Sequence, residues 1–167
     1  MNYRGPFLVL AVLSIGLLAL LQTAIGPQLA LMRVRPDLTL IVVLAWTLVY
    51  GPREGVVLAF AAGVWLDLFS GGFMGASSLA LMAAAVPVGA GYTSLFRTNL
   101  LVPIGAGIVG TLIYSLVYYG LVTVLGETGP LLPTFSRLIL PAVLYNSALI
   151  VLISPLLNRI PEARGAS

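Results

Sequence analysis

The chain has 167 residues, of which 60% are hydrophobic and only 8% charged, and its mean hydropathy is +1.10. Soluble domains carry about 25% charged residues, so this chain cannot cover itself with a wettable surface and reads as an all-α integral membrane protein. Its eight basic residues are all arginine, scattered singly, and it has no lysine, histidine or cysteine; this excludes disulfides and thiolate or imidazole metal sites and leaves no basic cluster for nucleic acid.

A spanning helix needs about 20 apolar residues. The first uncharged stretch predicts one span near 6–25, closed by Gly26-Pro27. Its apolar run exceeds the roughly 7–15 residues of a signal-peptide core, so it reads as a retained helix. A connection holding Arg33 and Arg35 follows, and Arg35-Pro36-Asp37 opens a second span near 37–50. Proline suits the first helical turn and an acid there complements the helix dipole.

Gly51-Pro52-Arg53-Glu54 then turns the chain into a third span near 54–69. One long helix through that turn would bury Arg53 and Glu54, which is the costlier arrangement. Six spans is therefore the expectation, with five if the second and third form a re-entrant pair. Residues 51, 55, 59, 63, 67, 71 and 75 read Gly, Gly, Ala, Gly, Asp, Gly, Gly. Small residues at every fourth position let a neighbouring helix approach closely. Gly55, Ala59 and Gly63 are thus expected to pack against another helix, with a subunit-dimer motif as the second reading.

The row leads to Asp67, set among apolar and small residues. A carboxylate at mid-bilayer depth costs roughly 2.5–3.5 kcal/mol on insertion scales. Asp67 admits two readings. In one it ends the third helix and accepts bonds from N–H groups of the Gly71-Gly72 turn, where glycine permits a tight return. In the other it lies at the outer end of the bundle, pairing with Arg33 or Arg35 or docking a partner protein.

The remaining spans fall near 77–96, 100–124 and 137–157, with Gly105, Ala106, Gly107 and Gly110 as a second close-approach face. Trp46, Tyr50, Tyr114, Tyr118 and Tyr119 read as interfacial anchors or bundle packing rather than a ligand box. Asn146, at bilayer depth, is expected to bond a neighbouring helix. With the N-terminus inside, Arg4, Arg53, Arg97, Arg159 and Arg164 face the cytoplasm against Arg33, Arg35 and Arg137 outside. The positive-inside rule therefore puts both termini in the cytoplasm. Paired carboxylates, a phosphate-binding glycine loop and a nucleophile with its base are all missing. The chain reads as non-catalytic, with no metal and no cofactor.

Pro36-Asp37-Leu38, Gly51-Pro52-Arg53-Glu54-Gly55 and the run Gly63-Val64-Trp65-Leu66-Asp67-Leu68-Phe69-Ser70-Gly71-Gly72-Phe73-Met74-Gly75 resemble the bacterial rod shape-determining MreD family. The closest likeness covers roughly residues 36–97. It implies a compact bundle of about six transmembrane helices in the cytoplasmic (inner) membrane, similar to the S-component fold of energy-coupling factor transporters. It also implies a non-catalytic scaffold of the cell-elongation complex. The partners it implies are MreC, with RodA, an elongation penicillin-binding protein and MreB beside it. Gly55, Ala59, Gly63, Asp67, Ser70, Gly71, Gly75, Arg33, Arg35 and Asp37 become the candidate partner-binding or structural residues. The rival function is a small-solute-binding subunit of a transporter, which needs a cavity lined by convergent polar groups.

Overall fold

The computed structural model describes residues 4–25, 37–90, 101–126 and 129–157, and the described residues hold helices and turns with no strand. The helices are α1 (Arg4–Ile25), α2 (Leu38–Tyr50), α3 (Pro52–Ser70), α4 (Ala76–Ala90), α5 (Leu101–Val124), α6 (Leu131–Thr134) and α7 (Leu140–Leu157). A π-helical turn, Phe135–Ile139, joins α6 to α7, its ladder slipping so that the Leu140 N–H bonds the Phe135 carbonyl. Pro141 lies just beyond and has no N–H to give Arg137, a local reason for the slip.

The helices differ at their ends from the expected spans for identifiable reasons. α2 starts one residue later because Asp37 is its cap, and α3 starts two residues earlier because Pro52 fits the first helical turn. The last helical run begins at Leu131 rather than 137, carried through the π turn. α4 is described to Ala90, and the rest of the span expected to 96 lies outside the described residues. Leu101–Val124 and Leu132–Ile153 have the length and apolarity to cross a membrane, while Val9–Ile25, Leu38–Tyr50 and Ala76–Ala90 are shorter apolar helices.

α2 is the pillar of the bundle. Eight of its thirteen residues are buried, including Leu40, Ile41, Val43, Leu44 and Leu48, and it packs against α1, α3, α4, α5 and α7. A helix apolar on every face belongs in an interior. The outer helices instead turn leucines outward, such as Leu13 and Leu17 on α1, Leu116 on α5 and Leu144 on α7.

The small-residue row on α3 is filled from within the chain. A Cβ on Gly55 would lie 2.1 Å from Thr47 Oγ1 of α2, and one on Gly63 would lie 2.2 Å from Ser78 Cα of α4. Ala59 between them is fully buried. The helices that pack on this row are thus the chain's own, because the short turns at Gly51 and 71–75 bring α2 and α4 alongside. On α5, Gly107 faces Ser147 and Ile150 of α7 and Gly110 faces Leu44 of α2, but Gly105 meets nothing within 4 Å.

Gly63→Ala will therefore force backbone against backbone and lower unfolding stability in detergent by about 1–3 kcal/mol, the range for overpacking. Gly105→Ala will leave it unchanged or raise it by about 0.5–1 kcal/mol, from helix propensity alone. Thermal or denaturant unfolding of the two variants checks both, and equal losses would refute the packing.

Candidate functional site

Several buried polar side chains, among them Thr39, Asp67, Ser77 and Asn146, gather at one end of the bundle, where α1 and α3 finish and α2 and α4 begin. Asp67, in the last turn of α3, is only 2% exposed. Its Oδ2 accepts from Gly75 N at 2.7 Å and its Oδ1 from Ser77 N at 3.1 Å. The expected partners, the N–H groups of Gly71 and Gly72, are not the ones used. Gly71 ends α3 in the left-handed region (φ 67°), and the chain swings outward before returning at Gly75 (φ 92°). The amides pointing back at the carboxylate are those that open α4.

This exchange has a clear cause. A helix start leaves its first N–H groups without partners, and an Asp, Ser or Asn at the cap normally accepts from them. Here the residue before α4 is Gly75, whose φ of 92° suits glycine and which has no side chain to cap with. Asp67 supplies the acceptor from the preceding helix. Charge-assisted bonds and the positive end of the α4 dipole stabilise the buried carboxylate in return.

Asp37 does the same work at the head of α2, but locally. Its Oδ1 accepts from Leu40 N at 3.0 Å and from Gln22 Nε2 at 3.1 Å. The Gln22 carbonyl oxygen accepts from Thr39 N at 2.7 Å and Thr39 Oγ1 at 2.9 Å, so α1 is clasped to the first turn of α2. The Asp37 N–H donates to Asn146 Oδ1 of α7 at 3.2 Å, and Asn146 Nδ2 reaches Thr111 Oγ1 of α5 at 3.5 Å. The interhelical role expected of Asn146 is therefore seen, and the acid at the α2 start is the cap that the sequence suggested.

Tyr114 joins the two halves. Its side chain hydrogen-bonds both Asp37 and Ser77, and its ring stacks on Tyr118 with centroids 5.9 Å apart. The sequence placed Tyr114 among packing aromatics, and nothing in its immediate neighbours announces a polar role. The one signal is spacing: Gly107, Gly110, Thr111 and Tyr114 share the inward face of α5, and the last two carry hydroxyls. Ser77, Thr39 and Thr111 were missed for the same reason, since an isolated hydroxyl in an apolar run carries no pattern.

Of the candidate residues, Asp37 and Asp67 fall in this layer, Gly75 donates to it, and Gly55, Ala59 and Gly63 pack below it. Ser70 and Gly71 are exposed on the α3–α4 turn, beside Met74 at 70% exposure. Arg33 and Arg35, and with them the expected pairing to Asp67, lie outside the described residues.

Asp67→Ala will leave two buried N–H groups without acceptors and cost about 1–3 kcal/mol of unfolding stability. Asp67→Asn, which keeps one acceptor oxygen, will lose less. Denaturant unfolding in detergent orders the three proteins, and a wild-type midpoint for Asp67→Ala would refute the capping role.

The sequence model of the family described as rod shape-determining protein MreD matches residues 1–160 of the chain. No curated protein and no solved structure matches it.

Proposed function

The chain belongs to the MreD family of rod shape-determining membrane proteins, and on that premise we propose that it is a scaffold of the cell-elongation complex that binds MreC and supports peptidoglycan synthesis. The family has a role in rod shape determination and is not a known enzyme family. The match over residues 1–160 is the observation that carries the proposal. RodA, the elongation penicillin-binding protein and MreB are the further partners it proposes.

In this reading the chain crosses the cytoplasmic membrane six times, as in the S-component bundle implied by the motif resemblance, with both termini in the cytoplasm. The polar layer then lies toward the outer face, and the α3–α4 turn is its exposed rim. Gly55, Ala59 and Gly63 serve packing, while Asp67 and Gly75 set the shape of a turn that MreC reads through Ser70, Gly71, Phe73 and Met74. Supporting this division, Gly71 has open space around it and Phe73 and Met74 are 36% and 70% exposed.

The transporter reading draws less support. The polar groups it would need are spent on one another: Gln22 on Asp37 and Thr39, Asn146 on Asp37 and Thr111, Tyr114 on Asp37 and Ser77. Among the described residues, two cavities between helices, one against α1 and α2 and one between α4 and α5, are lined almost wholly by apolar side chains.

Co-expression with MreC from the same genome will give a complex that survives size exclusion in mild detergent. Met74→Asp will abolish co-purification without moving the melting temperature; a retained complex would refute the turn as the contact. Because the chain has no cysteine, single substitutions report sidedness. Gly129→Cys will react with an impermeant thiol reagent on intact cells, and Arg53→Cys only after permeabilisation. The reverse pattern would invert the topology.

A further inference from the structure

The polar layer gives the helices a common level from which depth can be measured. Tyr114 of α5 meets Asp37 and Ser77 at that level, and Asn146 of α7 meets Asp37 there. From Tyr114, α5 runs on to Val124, about 15 Å at 1.5 Å per residue. Arg137 stands about 13 Å beyond Asn146 in the same direction. These extensions turn Leu116, Val124, Leu138 and Leu144 outward. In the opposite direction α3 descends from Asp67 to Glu54 and Arg53, about 20 Å.

Apart from the layer's own acids, the first charged side chains on either side among the described residues are therefore Arg137 and the Arg53–Glu54 pair. They lie about 33 Å apart, against ~30 Å for a hydrocarbon core. Seating the core between them puts the layer about 10–13 Å inside the outer boundary. Lowering that boundary to the layer would lift the outward leucines into water and sink Arg53 and Glu54 about 10 Å into lipid, and both changes are costly.

The α3–α4 turn stays near the layer. A Cβ on Gly72 would lie 3.6 Å from the Tyr118 hydroxyl. Helical side chains lean toward the N-terminus of their helix, so Gly72 reaches no farther along α5 than Tyr118. α5 rises about 9 Å beyond that residue. Residues 71–74 carry no charge, and Phe73 and Met74 are exposed. Irregular backbone is tolerated at lipid depth only where protein or a water-filled cavity covers it. Apolar Phe73 and Met74 suit protein rather than water.

We propose that the α3–α4 turn is submerged in the outer leaflet, and that the element of MreC meeting it is a membrane-spanning helix with hydroxyl or amide side chains at that depth. The partner rests on the turn-contact reading above; the depth does not.

Because the chain has no cysteine, a nitroxide on Met74→Cys, or on Phe73→Cys, reports depth in liposomes of the full chain. Its relaxation by oxygen, which concentrates in hydrocarbon, is compared with relaxation by a water-soluble nickel chelate, and Gly129→Cys serves as the aqueous reference. The expected oxygen-to-nickel ratio is several-fold higher at 73 and 74 than at 129. A ratio equal to that at 129 would overturn the submerged turn, whatever MreC does. Benzoylphenylalanine in place of Phe73, photolysed in cells that make MreC, then identifies the neighbour. An adduct to an apolar MreC stretch of about 20 residues is expected. An adduct to a charged MreC stretch, to residues 26–36 of this chain or to lipid alone would overturn the helix assignment, as would no adduct while MreC co-purifies. If MreC does not co-purify with the wild-type chain although the label is submerged, the scaffold reading fails and the depth holds.

Discussion

Amides at the head of a buried helix must find acceptors, and in this chain the acceptor for α4 is a carboxylate on another helix. Gly75 begins α4 in a conformation that suits glycine and so has nothing with which to cap it. Asp67 fills that gap with both oxygens. The bond pair closes the α3–α4 hairpin and thereby presses Gly63 against the Ser78 backbone. It also fixes Ser77, which meets Tyr114, and through Tyr114 the cap of α4 is joined to the cap of α2. One interaction thus sets the register of two helices and the shape of the turn between them.

The layer also explains how an apolar chain retains two buried acids. Helix-start amides supply hydrogen bonds and partial positive charge to each. Around them, Gln22, Thr39, Thr111 and Asn146 pair off across α1, α2, α5 and α7. Helices that gain little from hydrophobic attraction in lipid are held by close packing and interhelical hydrogen bonds. This bundle uses the first at Gly55, Gly63 and Gly110 and the second at its polar end.

Much of this is legible in the sequence, and what is not has a physical reason. Asp67 is conspicuous because a lone acid among leucines is costly, and Asp37 because Pro-Asp before an apolar run is a helix start. The partners of Asp67 are harder to read. Sequence proximity favours Gly71-Gly72, yet a left-handed glycine sends that segment outward and brings back residues eight and ten places on. The glycine row reads correctly as a close-approach face, but spacing alone does not say whose helix approaches. The answer is this chain's own α2 and α4. Tyr114 is the least legible, since its hydroxyl acquires meaning only when α2, α4 and α5 meet.

In the scaffold reading proposed above, surface shape is what a partner recognises, and the shape of the α3–α4 turn rests on the Asp67 cap. Hydrogen–deuterium exchange of the Gly75 and Ser77 amides tests this most directly, comparing the wild-type protein with Asp67→Ala in the same detergent. The cap predicts slow exchange at both amides in the wild type and fast exchange in the variant, with α2 amides nearly unchanged. Equal protection in the two proteins would contradict it.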